Sequence, residues 1–350
     1  MDNKNIIFID KNKNYTKHSV ETIHSNRLKN WNGWMCAAGI RSIYIDFDGN
    51  IWRGTCQEGG WIGNINVVTG IHHGPELVSG TWIKCGLDVC SCGADMAVPK
   101  VKNVELIDAY FKDTAKRRST LELDKEVPSV DAEVVYPEAN EFFRSVIWDL
   151  GRLCNFDCHY CSKNSHNNFD PVKNLKYMKS AFENINKYWN KTEERIKFSI
   201  TGGEPTVYKD YLPFVKYLKE LDHVVHTTTN GSNTVSYYSE LAEYSDICFS
   251  IHLNYVKSMG LDKFVDNVRA AVETTEKGYD LETIARFNWT IVRIMLDPGN
   301  LETAKQAYSA FSEFKKYRNF VLTVDLVHEA DTGHDLYKYS EEEISWIKSL

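Results

Sequence analysis

The residues best equipped for chemistry are Cys154, Cys158 and Cys161, set in the stretch Cys154-Asn-Phe-Asp-Cys158-His-Tyr-Cys161. The spacing is C-x3-C-x2-C, and three thiolates this close can fold round one soft metal centre. A cubane iron–sulfur cluster held by three cysteines has one iron without a protein ligand. Structural sites close their coordination sphere, so an open position is a place for reaction. The other reading of the spacing is a zinc knuckle that borrows His159 or His166.

The loop needs a frame, and the flanking sequence supplies one. Ser145–Leu150 is an apolar, strand-like run that leads into the cysteines. Later runs at Ile196–Thr201, His223–Thr229, Asp246–Asn254, Arg286–Leu296 and Phe320–His328 have the same character. Between them lie apolar residues at helical spacing: Leu175, Met178, Phe182, Ile185 and Trp189, then Phe264, Val265, Val268, Ala271 and Val272, then Leu301, Ala304, Tyr308, Phe311 and Phe314. Strand–helix alternation predicts a parallel sheet with crossover helices. In closed sheets of this kind the chemistry sits at the C-terminal strand ends. The cysteine loop, Thr201-Gly-Gly-Glu-Pro205 and Thr228-Thr-Asn-Gly-Ser232 all fall there.

Side-chain alternation sharpens the expectation. Ile247, Phe249, Ile251 and Leu253 should face the helices, which turns Cys248, Ser250 and His252 to the other face. Ser199 and Thr201, and His226, Thr228 and Asn230, should share that face. Arg293 lies late in an apolar strand, where an unpaired charge is costly, so it should meet a carboxylate; Asp325 and Glu329 are available. Cys248 reads as a small buried strand residue.

The cysteine motif with an aromatic at Tyr160, the Gly202-Gly203-Glu204-Pro205 stretch and the polar strand end at Asn230 and Ser232 together resemble the radical SAM superfamily. The resemblance covers residues 143–330 and implies a partial (β/α)6 barrel. It implies that Cys154, Cys158 and Cys161 hold a [4Fe–4S] cluster whose open iron is chelated by S-adenosylmethionine. Gly202, Gly203, Glu204 and Pro205 would surround the methionine amino group, and Arg293 or Ser250 would meet its carboxylate. Asn230 and Ser232 would reach the ribose, the backbone at Tyr160 the adenine, and His252 is a further cofactor contact. Reductive cleavage would give a 5′-deoxyadenosyl radical that takes hydrogen from a substrate. An electron donor such as flavodoxin or ferredoxin is implied.

Residues 1–98 are expected to form a small cysteine-rich α+β domain. Ser42 to Cys56 alternates about Asp48-Gly49, which signals a β-hairpin. Cys36 precedes the hairpin, Cys56 ends it, and Cys85, Cys90 and Cys92 follow on a loop. Cysteines so spaced suit one metal site, a zinc ribbon being the alternative to iron and sulfur. The unit resembles the SPASM or twitch auxiliary-cluster domains, placed here before the barrel instead of after it. A second [4Fe–4S] cluster is then implied on Cys36, Cys56, Cys85 and one of Cys90 and Cys92. The short apolar run Ile6–Ile9 suits a strand at a sheet edge. Residues 99–142, thin in apolar side chains and broken by Pro128 and Pro137, read as a linker, with a short helix from Asn103 to Lys116. Residues 143–350 would be the barrel with a C-terminal helix opened by a capping box at Ser340 and Glu343.

Composition sets limits on function. The 350 residues include 43% hydrophobic and 25% charged residues, ordinary for a globular chain with more than one core. A net charge of −7 implies no broad basic surface, so nucleic acid is not an expected partner. No apolar stretch is long enough for a bilayer, and the N-terminus lacks a signal-peptide core, so a cytoplasmic location is expected. Nine cysteines in that setting read as metal ligands before disulfides. The expected substrate is a peptide or protein that is oxidised, epimerised or cross-linked; a sugar or nucleotide is the alternative. A purely electron-transferring iron–sulfur protein would need no pocket of the kind GGEP and TNGS imply.

Overall fold

The computed structural model describes residues 5–19, 23, 30–66, 82–88, 90, 98–106, 132–137, 143–161, 173–189, 195–277, 288–328 and 337–350. The expectations for Cys92, His166, Glu329 and most of a helix at 103–116 lie outside these residues. The chain divides into two compact units: Met1–Ile147 with Ser180–Lys197, and Trp148–Lys179 with Phe198–Leu350.

The first unit is built on an antiparallel sheet in the order β2 (Tyr15–Ser19), β1 (Asn5–Asp10), β9 (Ala132–Pro137), β8 (Lys100–Val101), β3 (Met35–Cys36), β7 (Ile83–Lys84). β1 is internal to this sheet, paired with β2 on one side and β9 on the other, instead of lying at an edge. Its continuous apolar run explains the position. Ile7 and Ile9 pack into one cluster with Cys36, Ala37 and Trp82, while Ile6 and Phe8 pack into another with Trp31, Cys90 and Val135. A strand covered on both faces needs no polar alternation. The span 99–142, expected as a linker, carries β8 and β9, and Val101, Val134 and Val135 are buried there.

The expected hairpin forms from β4 (Ser42–Ile45) and β5 (Asn50–Trp52), with β6 (Trp61–Asn64) added beside β5. Asp46 builds the turn. Its Oδ1 accepts from the backbone N–H of Asp48 and Asn50, and its Oδ2 from the side chains of Asn50 and Trp52. Gly49 takes φ +79°, the left-handed conformation that glycine adopts without penalty.

The second unit has the expected alternation of strand and helix. Strands β10 (Phe143–Asp149) and β11 (Arg195–Thr201) are each divided between the units. They are followed in sheet order by β12 (Val224–Thr229), β13 (Asp246–His252), β14 (Thr290–Leu296) and β15 (Phe320–Leu326). From β12 to β15 the pairs are parallel. Sheet order follows chain order, as right-handed crossovers through helices produce. The helices are α1 (Leu175–Tyr188), α2 (Tyr211–Glu220), α3 (Val235–Ala242), α4 (Leu253–Met259), α5 (Leu261–Lys277), α6 (Leu301–Ser312) and α7 (Glu341–Lys348). Ile247, Phe249 and Ile251 are fully buried on the helix side of β13, and Phe264, Val268, Ala271 and Val272 of α5 are buried as their spacing requires. Ser340 and Glu343 form the expected capping box at the start of α7. Among the described residues no helix is long and apolar enough to cross a membrane.

Candidate active site

The strand ends of the second unit surround a cavity of about 280 Å³. Cys154, Cys158, Cys161 and Tyr160 line it, together with Gly202, Gly203, Glu204, Asn230, Ser250 and His252. The sequence motifs therefore meet at one place. Cys248 is buried. Pro205 opens a short 3₁₀ turn and is not in the cavity lining. Ser232 and Arg293 are not in its lining: Ser232 bonds to Asn155, and Arg293 Nε lies 3.1 Å from Asp325 Oδ2.

The two glycines of the Gly-Gly-Glu turn let main chain run against main chain. Gly202 has φ +127°, and a Cβ on it would lie 2.6 Å from the carbonyl oxygen of Gly151. A Cβ on Gly203 would lie 2.3 Å from that of Leu153. With no side chain in the way, Gly203 N–H donates to Gly151 O at 2.7 Å and Glu204 N–H to Leu153 O at 2.8 Å. The start of the cysteine loop is thereby fixed to the end of β11.

Glu204 faces inward and is almost wholly buried. Its Oε1 accepts from Thr206 N at 2.9 Å, Thr206 Oγ1 at 2.6 Å and Thr229 Oγ1 at 2.8 Å; its Oε2 accepts from Asn230 N at 2.5 Å. Desolvation raises its pKa, and these donors oppose the rise. The Glu204 side chain thus ties β11 to β12, a role the sequence reading did not give it.

Two residues that sequence reading missed complete the grip on the loop. Asn155 donates to Ser232 Oγ at 2.8 Å and accepts from Asn230 Nδ2 at 2.9 Å. Tyr255 of α4 stacks on Phe156 with ring centroids 3.6 Å apart, and its hydroxyl accepts from the backbone N–H of Asp157. His252, at the N-cap of α4, adds a third contact. Its Nδ1 lies 2.6 Å from the Tyr160 hydroxyl and 3.5 Å from Cys158 Sγ. Desolvation pushes His252 down to about 4, so its ring is neutral near pH 7. His159 turns elsewhere, with Nε2 3.3 Å from Asp297 Oδ1.

The donor set fits a cluster. Desolvation, with the Glu204 carboxylate and Cys161 nearby, pushes Cys154 up to about 11; desolvation and the other two cysteines push Cys158 up to about 12; desolvation and Asp157 raise Cys161. All three line the same cavity. Among the described residues no three side chains close on one point as ligands of a single ion do. Ligands of a cubane bind different iron corners and need no such convergence. Binding would draw off the thiol protons, as metal coordination does generally.

The first unit distributes its cysteines differently. Cys36 packs with Ile7, Ile9 and Trp82, whereas Cys85 and Cys90 pack with Phe8, Trp31 and Trp34. The segments bearing Cys56 and Cys85 adjoin, since Glu58 Oε2 accepts from Gly86 N at 3.2 Å. Cys92 lies outside the described residues.

A family model for the radical SAM superfamily matches residues 148–308. A GTP 3′,8-cyclase of Pasteurella multocida is 28% identical over 166 residues, which span 43% of this chain and 45% of that protein. A GTP 3′,8-cyclase of Nautilia profundicola is 33% identical over 121 residues, 34% of this chain and 35% of that one. The chain thus matches less than half the length of these relatives. Among solved structures, Streptococcus suis SuiB bound to S-adenosylmethionine aligns with 59% of this chain and 46% of its own, at 18% identity and a TM-score of 0.38.

Proposed function

We propose that residues 148–308, which match the radical SAM model, form a radical SAM domain, and that the chain cleaves S-adenosylmethionine reductively to a radical that abstracts hydrogen from its substrate. The single observation that carries this reading is the convergence of the three thiols, the Gly-Gly-Glu turn and the ends of β12 and β13 on one cavity. When bound, the cluster and its S-adenosylmethionine supply a 5′-deoxyadenosyl radical that takes hydrogen from the substrate.

The chain's own residues position and exclude. Cys154, Cys158 and Cys161 would hold three corners of the cluster. The main chain of Gly202, Gly203 and Glu204, which lines the cavity, would lie against the methionine amino group. Ser250 and His252 line the cavity and would be further contacts of the bound molecule. The adenine would lie on the backbone at Tyr160, whose side chain is held by His252. Asn230 and Ser232 would border the ribose, with Asn155 fixing both.

We propose a peptide or protein as substrate. The support is the cysteine-rich first unit and its resemblance to auxiliary-cluster domains. A second [4Fe–4S] cluster on Cys36, Cys56, Cys85 and Cys90 or Cys92 belongs to the same proposal. The sequence match to GTP 3′,8-cyclases favours the second reading, a nucleotide or other small molecule. That match is partial, spanning 43% of this chain.

Anaerobic reconstitution tests the proposal. The reduced protein should give a [4Fe–4S] EPR signal that changes shape on adding S-adenosylmethionine, and should release 5′-deoxyadenosine. Replacing all three cysteines with Ala should abolish both and lower the iron content from about eight to about four per chain, the stoichiometry of two cubanes. A fully loaded protein whose signal ignores S-adenosylmethionine would refute the first part. One zinc with almost no iron in the triple variant would refute the second.

A further inference from the structure

Arg293, expected as a contact of the methionine carboxylate, lies outside the cavity lining and pairs with Asp325. In the parallel register Ser250 of β13 stands beside Arg293 of β14, which stands beside Thr323 of β15. One step along, His252 stands beside Met295 and Met295 beside Asp325. Residues in register point to the same face, so Arg293, Thr323 and Asp325 share the face on which Ser250 and His252 line the cavity.

Arg293 Nε meets Asp325 Oδ2 at 3.1 Å, and the side chains remain 33% and 25% exposed. An ion pair whose whole purpose was burial would be shut away. The contact occupies one guanidinium N–H and one carboxylate oxygen, whereas the two groups together have five donors and about four lone-pair sites. Thr323 Oγ1, on the next strand at the level of Arg293, is buried and has no hydrogen-bond partner among the described residues. Donors and acceptors therefore stand together on one face of the sheet, with Ile291 and Met295 as apolar neighbours on β14.

Charge decides which ligand suits them. An incoming anion would be drawn by Arg293 and repelled by Asp325, and an incoming cation the reverse. A neutral group with an acceptor beside a donor satisfies both. We propose that Arg293, Asp325 and Thr323 form a substrate subsite for such an edge: a lactam of a nucleobase or the primary carboxamide of an Asn or Gln side chain. The carbonyl accepts from the guanidinium, and the adjoining N–H donates to the carboxylate. A trans peptide group does not fit, because its C=O and N–H point in opposite directions. The subsite rests on the radical SAM reading and names the chemistry its substrate presents.

The test is binding to reconstituted enzyme with S-adenosylmethionine, measured anaerobically by equilibrium dialysis with two probe pairs. Inosine and purine riboside differ in the lactam alone. Acetyl-Gly-Gln-Gly N-methylamide and its Glu counterpart differ in the carboxamide. At least one pair should show a tenfold or greater preference for its lactam or carboxamide member; the inosine pair identifies a nucleotide source, the peptide pair a peptide source. The double variant R293M/D325L, which replaces both charges with apolar side chains of similar bulk, should lose that preference, and T323V should narrow it severalfold. Equal binding within both pairs, no binding of any probe, or a preference that survives R293M/D325L overturns the subsite. The EPR response of the wild-type cluster to S-adenosylmethionine separates the two levels: a normal response with no discrimination defeats the subsite alone, and an absent response defeats the parent reading and the subsite with it.

Discussion

The carboxylate of Glu204 accepts a hydrogen bond from the backbone N–H of Asn230 at 2.5 Å, joining the end of β11 to the end of β12. Three more donors, from Thr206 and Thr229, converge on its other oxygen. The side chain is therefore a strut under the cavity. Replacement by Gln puts an N–H₂ among groups that all donate. E204Q should lower stability by about 1–3 kcal/mol, the cost of an unsatisfied buried polar group, read in urea unfolding.

Glu204 also sets a pH dependence. Desolvation raises its folded pKa above the ordinary 4.5, opposed by its donors. A carboxyl whose folded pKa is raised binds its proton more tightly in the folded state. Its contribution is greatest below the unfolded value and is lost as pH rises through the folded one. Unfolding curves of the wild type from pH 4 upward should show this decline, and E204Q should show a smaller slope. Identical slopes would place the raised proton elsewhere.

Gly203 has no room for a methyl group. Its Cβ would sit 2.3 Å from Leu153 O and 2.7 Å from Arg152 O, both main chain. G203A should destabilise the protein by about 1–3 kcal/mol, as overpacking does, and should reduce iron retention because the displaced segment leads directly into Cys154. Thermal melting and iron content on the same sample check both effects.

Asn155 holds the cysteine loop to the Asn230–Ser232 segment. N155A removes two neutral hydrogen bonds and should cost about 1–2 kcal/mol at most. Its sharper effect should be on the cluster: with the cysteines present but the loop released, the EPR signal should broaden on adding S-adenosylmethionine. A sharp, wild-type response from N155A would show that Tyr255 and the Gly-Gly-Glu turn suffice to place the loop.

Much of this was legible in the sequence because it is local. Strands β10 to β15, the turn at Gly49 and the Ser340–Glu343 cap each announce themselves within a dozen residues. The cysteine loop and Gly-Gly-Glu turn could be placed at strand ends for the same reason. The grip on the loop could not. Asn155 meets Ser232 across 77 positions and Asp157 meets Tyr255 across 98, and neither Asn155 nor Tyr255 belongs to a pattern. The span 99–142 misleads for another physical reason: β8 is only two residues long, too short for alternation to show, and β9 gains its place from β1, far away in the chain.

The contact of Gly203 with the cysteine loop also bears on how such a protein can change over generations. The floor of the cavity is main chain on main chain, and every one-step replacement at Gly203 adds at least the methyl group that Leu153 O and Arg152 O exclude. New substrate preferences cannot accumulate there by small steps. They are open at Thr201 and Thr228, which line the cavity from the ends of β11 and β12 and do not grip the cysteine loop. A library that randomises those two positions and fixes the glycines would sample that variation.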